Sequence, residues 1–501
     1  MRYLLLLALL STLHPRTAAQ SIRVDPTAQA TPITPLVYGQ FIEHLGRCVA
    51  GGLYEPTSPL SDDRGFRTDV LKLVQGLDVP LLRFPGGTVT KIYHWEYGIG
   101  PKEDRPKRPN LIWGGNIEYG FGTAEFVTYC REIGAEPFLV VNMATGTPEE
   151  ASNWVEYCNG TGDTYYANLR REHGYPEPFN VTYWGIGNEE SAEPDAGRHQ
   201  DVDVYIDDTW QFTKLMKLQD PSIKLTMVGD TRDRDWNQEI LDELHSVSDY
   251  LAVHFYAVPG DTTYAALLES VYQYDAYLDT LREQLAPVPE TGGLSRWYRF
   301  DGRQAPLKLA IDEWGIWNMD SPKGRGAYAL EYPYDWRHAL ATATFLHMFY
   351  ANADIIALAT WAQTVNVLAP IMTSEESAWK QTVYTPLEKY RAYMLDNYLP
   401  VALSDIPTLP SGRPALDVSA TVSAAGDSVV VAAINLSLEQ DAAVDMTHAV
   451  PGMRLQRRVV YSADDPLAVG TAAADVVREV KDDGAGSLVA GGIGFYFYSK
   501  D

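Results

Sequence analysis

The stretch VTYWGIGNE, residues 181–189, decides the fold because it has the pattern of a buried strand that ends in polar side chains. Apolar and aromatic residues fill most of it, and Asn188 and Glu189 close it. Near-continuous apolar strands are typical of parallel sheets, whose two faces are both covered. In enzymes built on such sheets, catalytic side chains project from the carboxyl ends of the strands.

Two consecutive glutamates follow this strand, and side chains that are adjacent on a strand point to opposite faces. Gly185, Gly187 and Glu189 share one face, and glycines suit a crowded barrel interior. We therefore predict that Glu189 points to the mouth of the barrel. Glu190 is predicted to begin the outer loop as a solvated charge.

Similar apolar runs recur along the chain, with amphipathic helical patterns such as 124–133, 202–218 and 334–351 between them. Strands that alternate with helices indicate a parallel sheet, and eight such units predict a closed (β/α)₈ TIM barrel over residues 36–400. Long insertions at 94–120 and 257–306 are expected to shape the site. The eight runs are 36–41, 79–84, 136–142, 181–189, 223–230, 250–256, 307–313 and 354–363.

The pattern of apolar and polar residues changes after Pro400. Segments such as SVVVAAINLS (428–437) alternate apolar and polar residues between Gly, Asp and Pro, and no long helix is evident. This pattern predicts a jelly-roll-like antiparallel β-sandwich over residues 401–501. The β-like segment within residues 20–35 precedes the first barrel strand and is expected to pair with that sandwich.

Residues 1–19 have the features of a secretory signal peptide. Arg2 gives a positive start, a short apolar run follows, and Thr17–Ala19 supplies small residues for cleavage before Gln20. The apolar run is shorter than the roughly 20 residues that span a bilayer. We therefore expect a secreted, extracellular protein. Export fits three glycosylation sequons, which begin at Asn159, Asn180 and Asn435.

Charge and composition exclude several classes of function. The formal net charge is −26, which repels nucleic acid and anionic membranes. The only cysteines are Cys48, Cys130 and Cys158, and their spacing does not indicate a zinc site. They are expected to be small buried residues, although one bridge with one free thiol is also compatible. No metal or cofactor is predicted, and the oligomeric state is left open.

Polar groups gather at the ends of several predicted strands, with glutamates on the fourth and seventh. Glu189 ends strand four, and Glu313 ends strand seven, where it shares a face with Leu309 and Ile311 while Asp312 points away. Strands four and seven lie nearly opposite each other in an eight-stranded ring. Cleavage of a glycosidic bond requires two carboxyl groups across that bond. The pattern therefore predicts a glycosidase with Glu189 and Glu313 as its pair.

The motifs WGIGNE, IDEWG, FIEHLGR, LRFPGG with YHWEYGIGP, and AQTVNVLAPI resemble the signatures of glycoside hydrolase family 51, from about residue 36 to 373. These are retaining α-L-arabinofuranosidases of the (β/α)₈ clan with catalytic glutamates on strands four and seven. The resemblance implies that Glu189 is the general acid/base and Glu313 the nucleophile. It also implies that the sugar hydroxyls are bound by Asn188, Glu43 and Gln363, and that Arg83 and Tyr256 hydrogen-bond the nucleophile.

Retention requires different ionisation states in the two glutamates. Glu313 must be ionised to attack, whereas Glu189 should have a raised pKa, and the two carboxyl groups should lie about 5–5.5 Å apart. The sequence departs from the family at Thr88, where an asparagine that touches the sugar is usual. Other side chains that could line the site, or in the case of the tryptophans could belong to the core, are His254, Trp95, Trp314 and Trp317.

The leading interpretation is an exo-acting enzyme that releases arabinofuranosyl groups from plant cell-wall arabinoxylan or arabinan. An endoglucanase or β-xylosidase on the same scaffold is a second possibility, which an open cleft would favour over a pocket. A non-catalytic carbohydrate-binding protein is a third, and the presence of both glutamates with Asn188 and Arg83 argues against it.

Overall fold

The computed structural model describes residues 21–191, 199–317, 326–480 and 486–500. The predicted signal peptide lies outside them. Eight parallel strands close into a barrel, which confirms the predicted fold class. Numbered 1 to 8 in chain order, the barrel strands are Gly39–Phe41, Leu81–Phe84, Glu136–Val141, Tyr183–Ile186, Lys224–Val228, Tyr250–Ala257, Lys308–Ile316 and Ile356–Ala362.

Helices cover the outside of the barrel, and several of them begin at a residue whose side chain caps the first turn. Thr147 precedes a helix with Pro at its first turn and accepts a bond from the Glu150 amide, and Thr263 caps the Ala266 amide in the same way. The α-helices are Thr68–Gly76, Thr123–Ile133, Pro148–Asn159, Tyr165–Glu172, Val202–Gln219, Arg234–Leu244, Tyr264–Leu285, Trp336–Ala351 and Tyr384–Tyr393. Short 3-10 turns are Pro35–Tyr38, Thr88–Ile92, Trp95–Gly98 and Lys102–Asp104.

The C-terminal part forms a seven-stranded antiparallel sheet with a thin second layer. Its central strand, Ser428–Asn435, faces the barrel with alternate residues such as Val430 and the opposite core with Val429. The sheet order is Thr31–Pro32, Asn397–Leu399, Leu416–Val422, Ser428–Asn435, Ile493–Ser499, Arg454–Ala463 and Val477–Val480. Two strand pairs, Ser21–Val24 with Val401–Ser404 and Ala442–Ala443 with Ser487–Leu488, cover its outer core.

The N-terminal segment therefore pairs with C-terminal strands in both layers. The buried helix Trp336–Ala351 joins the two parts of the molecule. The Trp336 indole donates to the Gly491 carbonyl at 2.6 Å, and His347 bonds the Asp417 carboxylate at 2.8 Å. These contacts fix the sheet domain against the barrel wall.

Short additional strands occur on the loops. The pair Arg108–Pro109 and Asn116–Ile117 forms a hairpin after barrel strand 2, and Ile371–Thr373 pairs with Ala378–Lys380 after barrel strand 8. In the described residues, no helix combines the length and apolar character needed to cross a bilayer. The three cysteines are buried and unbridged.

One of the two long insertions lies away from the strand ends that carry the glutamates. The chain after helix Tyr264–Leu285 packs under the barrel, where the Arg303 amide donates to the Ser246 carbonyl at 2.8 Å. Ser246 lies in the turn before barrel strand 6, at the amino ends of the strands. The prediction that the whole of 257–306 shapes the site is therefore wrong, because the loop after a barrel helix returns to the opposite end of the barrel.

The sequon at Asn435 is not available in the folded protein. Asn435 is 1% exposed, and its amide donates to the carbonyls of Gln440, Leu488 and Val489. The prediction of a glycan there is wrong because this side chain bridges turns of the sheet domain. Asn180 is exposed, and Asn159 is half-buried with its amide bonded to Val181 and Asp220.

Candidate active site

The predicted catalytic glutamates meet at the carboxyl ends of the barrel strands. A carboxylate oxygen of Glu189, one of Glu313 and a ring nitrogen of His254 all lie within 4.8 Å of one another. Glu189 follows barrel strand 4 through Gly187, whose φ of 83° lies in the left-handed region that glycine favours. Glu189 itself has a φ of 46°, so the chain turns sharply at this point.

Glu313 lies on the floor of the site and is held by two donors. Arg83 Nη1 donates to its Oε1 at 2.8 Å, and the Tyr256 hydroxyl donates to its Oε2 at 2.7 Å. The side chain of Arg83 is fully buried over the ring of Phe41. Charge-assisted bonds of this length orient the carboxylate strongly. Burial and the adjacent Glu313 charge raise the pKa of Tyr256 well above its usual value, so the phenol stays a donor.

Glu189 contacts a histidine instead of a guanidinium. Its Oε1 lies 2.8 Å from His254 Nδ1, and its side chain is 28% exposed. Burial alone would raise the pKa of Glu189, but the hydrogen bond and charge of His254 outweigh it and lower the pKa below its ordinary value. The prediction of a raised pKa for Glu189 is therefore wrong for this arrangement, because its hydrogen-bond partner was not identified from the sequence.

The surroundings of His254 favour its protonated form. Burial opposes its charged form, but the carboxylates of Glu313, Asp312 and Glu189 raise its pKa well above the usual value. Its Nε2 lies 3.3 Å from Asp312 Oδ1, and its Nδ1 lies 3.7 Å from Glu313 Oε2. A protonated imidazole donates from both nitrogens and cannot ligate a cation. His254, Glu189 and Glu313 form a compact cluster of possible metal ligands, but the charge on His254 disfavours a metal there.

Asp312 points into the cluster, which contradicts the strand-parity prediction. Its Oδ2 lies 3.2 Å from Arg83 Nε, and it is 3% exposed. Burial raises the pKa of Asp312, but the charges of Arg83 and His254 lower it by more than burial raises it. The pKa of Asp312 is therefore below its ordinary value. The pairing register of barrel strand 7 shifts between Ile311 and Trp314, and such an irregularity re-aims side chains. Asp312 and Glu313 consequently both reach the charged cluster.

The residues implied in sugar binding lie around this cluster and carry unpaired polar atoms. Asn188 Oδ1 accepts a 2.6 Å bond from Arg83 Nη2, while its buried Nδ2 has no protein partner. Gln363 Nε2 donates to Glu43 Oε2 at 2.8 Å, while its buried Oε1 has no partner. Buried polar groups are normally bonded, so a free donor and a free acceptor here fit a hydroxylated ligand.

Glu43 is almost fully enclosed. Its carboxylate also accepts bonds from the Val89 amide at 3.0 Å and the Trp113 indole at 2.9 Å. Burial, followed by repulsion from Glu313, raises the pKa of Glu43 to about 7. Trp113 was missed by the sequence reasoning. The only signal for it was the long 94–120 insertion, which gives no indication of which side chain reaches back to the site.

Thr88 begins the turn that follows Gly87 and is 6% exposed. A Cβ on Gly87 would lie 3.1 Å from Glu313 Oε1 and 3.2 Å from Glu43 Oε2. The backbone therefore approaches both carboxylates closely and places Thr88 at the edge of the same pocket. A threonine at this position offers one short hydroxyl where the family usually has an amide.

Two of the three tryptophans considered as site-lining belong to the core. Trp95 is 1% exposed and stacks on Trp154 at 5.9 Å, and Trp314 is fully buried against Trp361 at 4.9 Å. For these two indoles, the core alternative left open by the sequence is therefore the one that the structure shows. Trp317 is half-buried and packs edge-on against Tyr256 at 5.4 Å, so it lies beside the tyrosine that hydrogen-bonds Glu313.

Glu190 is buried, which contradicts its prediction as a solvated charge. The turn at Gly187 and Glu189 folds it inward, where its Oε2 lies 2.7 Å from His199 Nδ1 and its Oε1 accepts from the Asn188 amide at 3.2 Å. Strand alternation fails here because residues with positive φ interrupt the extended backbone. Glu190 thus supports the loop that carries Asn188 and Glu189.

Comparisons with known proteins agree with this geometry. The α-L-arabinofuranosidase 1 domain model matches residues 73–279, and the α-L-arabinofuranosidase C-terminal domain model matches residues 312–495. The probable α-L-arabinofuranosidase C of Aspergillus niger is 38% identical over 84% of this chain and 86% of that protein. The chain belongs to glycoside hydrolase family 51.

Two further relatives support the family 51 assignment. The GH51 α-L-arabinofuranosidase of Thermotoga petrophila has a solved structure that is 35% identical, covers 96% of this chain and 100% of its own, and gives a TM-score of 0.83. An intracellular exo-α-(1→5)-L-arabinofuranosidase of Halalkalibacterium halodurans is 35% identical over 74% of this chain and 75% of that protein. The protein is therefore a glycoside hydrolase of the α-L-arabinofuranosidase type.

The charge on His254 makes a testable contribution to stability. Since its folded-state pKa is raised, its contribution is complete below the ordinary value of about 6.5 and is lost as pH rises through the folded-state pKa. Removing one member of a buried charge cluster costs roughly 3–5 kcal/mol. We expect His254→Gln to lower the free energy of unfolding by about 3 kcal/mol at pH 6, with the difference from wild type shrinking as pH rises to about 9.

Urea unfolding of both proteins across this pH range measures the effect. His448→Gln is the matched control because that imidazole is 84% exposed in the sheet domain. A difference between His254→Gln and wild type that stays constant or grows with pH would contradict the assignment of the proton to His254.

Proposed function

We propose that the protein is a secreted, retaining, exo-acting α-L-arabinofuranosidase. The observation that carries the retaining mechanism is the separation of the two carboxylates, within 4.8 Å at their closest ligand atoms. Retaining glycosidases hold these groups about 5–5.5 Å apart, whereas inverting enzymes separate them by about 6.5–9.5 Å to admit a water molecule. The spacing supports direct attack by one carboxylate on the sugar.

In the first step of this mechanism, Glu313 attacks the anomeric carbon. Arg83 and Tyr256 orient its carboxylate, and a covalent glycosyl ester forms as the bond to the leaving oxygen breaks. That oxygen receives a proton from Glu189. The hydrogen bond and charge of His254 lower the pKa of Glu189, and in this mechanism His254 supplies the proton to Glu189 along their 2.8 Å hydrogen bond.

In the second step, Glu189 accepts a proton from a water molecule, which attacks the anomeric carbon, and Glu189 passes that proton back to His254 along their hydrogen bond. The ester bond to Glu313 breaks, and arabinose leaves with its original α configuration. Consumption of the Glu313 charge during the first step removes an anion near His254 and Glu189. Two displacements at one carbon account for the net retention.

The enclosure of the site supports action on terminal sugar units. Glu43, Asn188 and Gln363 are each no more than 4% exposed, and they surround the free polar atoms that face the sugar. A sugar unit inside a continuous chain is linked on two sides, so the chain would have to leave the enclosed site in two directions. A terminal arabinofuranosyl group enters with only one linkage.

The proposed substrates are arabinoxylan and arabinan of the plant cell wall, on which single arabinofuranosyl groups are terminal. An uncharged polysaccharide suits a protein with a net charge of −26. Secretion rests on the signal-like residues 1–19 and on the exposed sequon at Asn180. The relative from Halalkalibacterium halodurans is named an intracellular, exo-acting α-(1→5)-L-arabinofuranosidase. Export is therefore proposed for this chain from its own residues 1–19 and not from that relative.

A hydrolysis screen of matched aryl glycosides tests this function. We expect kcat/KM for the α-L-arabinofuranoside to exceed that for the β-D-xylopyranoside and β-D-glucopyranoside by at least about 100-fold, because buried polar groups discriminate strongly between hydroxyl arrangements. Faster cleavage of the xylopyranoside or glucopyranoside would instead support the second specificity considered from the sequence.

A further inference from the structure

A cavity lies beside the hairpin formed by Arg108–Pro109 and Asn116–Ile117. This cavity, here called the hairpin cleft, has a volume of about 260 Å³. The residues that line it include His94, Tyr97, Arg108, Leu111 and Thr145. The volume is just below the roughly 300–1,000 Å³ of sites for drug-sized molecules, so it suits one unit of a longer chain.

The hairpin cleft adjoins the catalytic mouth from two directions. The tip of its hairpin carries Trp113, whose indole donates to Glu43 at 2.9 Å in the site. At its other end, the Thr145 hydroxyl donates to the Lys91 carbonyl at 2.9 Å, and Lys91 Nζ donates to the Glu189 carbonyl at 3.2 Å. The cleft is therefore two contacts away from the acid/base residue.

Position relative to the two glutamates identifies the side of the substrate. Glu43 and Gln363 come from barrel strands 1 and 8, and they bond each other at the sugar-binding end of the site. Glu189 protonates the oxygen of the group that leaves, so the leaving group must lie against Glu189. The site thus has a sugar-binding end at Glu43 and a leaving-group end at Glu189. The contacts of Lys91 with Thr145 and with the Glu189 carbonyl connect the hairpin cleft to the leaving-group end.

The chemistry of the cleft fits a neutral sugar. Leu111 is 73% exposed, which presents an apolar surface to solvent, and the Arg108 guanidinium lies 5.4 Å over the Tyr97 ring. Within the described residues Arg108 has no ion pair, so its donors are free for hydroxyl groups. His94 is paired with the Glu150 carboxylate at 3.0 Å, and that wall disfavours an anionic ligand. Apolar and aromatic surface beside a few donors is the usual composition of a small-molecule site.

We propose that the hairpin cleft binds one sugar unit of the neutral chain from which the arabinofuranosyl group is removed. This inference rests on the proposed function and adds a leaving-group site to it. The hairpin cleft would hold the polysaccharide backbone outside the catalytic pocket, while the arabinofuranosyl side group enters that pocket. The chain is either a xylan or an arabinan backbone, which share the hydroxylated pentose chemistry.

The test compares a small substrate with a branched one. Arg108→Ala and Leu111→Ser both change exposed side chains outside the catalytic residues. We expect the double variant to raise KM for a singly branched arabinoxylo- or arabino-oligosaccharide about tenfold, which corresponds to about 1.4 kcal/mol. The kcat/KM for an aryl α-L-arabinofuranoside should stay within about twofold, since this substrate carries no backbone sugar for the cleft to bind.

Leu218→Ser is the matched control because Leu218 is 52% exposed at the end of the helix after barrel strand 4. It should leave both substrates unchanged. Equal losses on both substrates, or no change on the branched one, would overturn the proposal. The branched substrate that shows the larger loss identifies the backbone as xylan or arabinan.

Direct binding separates this proposal from the proposed function. Calorimetric titration with linear xylotetraose and arabinotetraose requires no catalysis, and we expect the Kd of one of them to rise about tenfold in the double variant. An unchanged Kd for both would overturn the cleft even if the enzyme hydrolyses arabinofuranosides. A changed Kd in a protein that does not hydrolyse aryl arabinofuranosides would preserve the cleft and reject the function.

Discussion

Glu313→Gln is expected to lower kcat on an aryl α-L-arabinofuranoside by at least about 10⁴-fold, because the amide cannot form the covalent ester. The carboxylate it replaces is held by Arg83 and Tyr256 at 2.8 and 2.7 Å. Glutamine has nearly the same shape, so the pocket should retain its packing. The loss should therefore fall on kcat much more than on KM.

Steady-state kinetics on a substrate with a good leaving group, together with a thermal unfolding curve, measure this loss. Glu103→Gln makes the same chemical change at an exposed loop position and should retain wild-type activity. Activity of the Glu313→Gln protein within about tenfold of wild type would exclude Glu313 as the nucleophile.

Glu189→Ala is expected to separate substrates by the quality of their leaving groups. A positioned general acid contributes roughly 10²–10⁴-fold, so kcat on an oligosaccharide should fall by about that factor. A dinitrophenyl glycoside needs no protonation and should still form the ester with Glu313. Loss of the base then slows hydrolysis of that ester, so the intermediate should accumulate as a rapid initial burst.

Azide tests the second half of this prediction, because it is a nucleophile that needs no general base. It should fit the space left by Glu189, attack the ester and restore turnover of the dinitrophenyl glycoside. The expected product is the α-configured arabinofuranosyl azide, from two inversions at one carbon. A β-configured azide would show a single displacement and reject the retaining mechanism.

The sequence was sufficient to predict the barrel because its evidence is local and repeated. Each of the eight runs overlaps an observed barrel strand, and the alternating pattern after residue 400 corresponds to the antiparallel sheet domain. Parallel strands that are buried on both faces have a nearly continuous apolar composition. This pattern can therefore be recognised in the sequence without knowledge of the tertiary contacts. Residues 181–189 were informative for the same reason.

Details of the site depended on features that a single sequence does not show. The inward positions of Glu190 and Asp312 follow from positive φ values near residue 189 and from a register shift in barrel strand 7. The proton on His254 depends on three carboxylates that come from strands 4 and 7. Trp113 reaches the site from a hairpin tip.

The failed predictions for Glu190 and Asp312 share a cause. Strand parity assumes regular extended backbone, and it is least reliable at strand ends, where catalytic side chains lie. The sequence left Trp95 and Trp314 open between the site and the core, and both pack in the core against other tryptophans. A tryptophan that is next to a site residue in the sequence does not have to lie on the same side of the backbone as that residue.

The central claim is that Glu313 forms a covalent bond with an arabinofuranosyl group. Incubation with an activated 2-deoxy-2-fluoro-α-L-arabinofuranoside, followed by proteolysis and peptide mass spectrometry, tests it directly. We expect one equivalent of sugar on the peptide that contains IDEWG, residues 311–315, with the added mass located at Glu313. Turnover of the unfluorinated glycoside without any trapped adduct, or an adduct on Glu189 or Asp312, would contradict it.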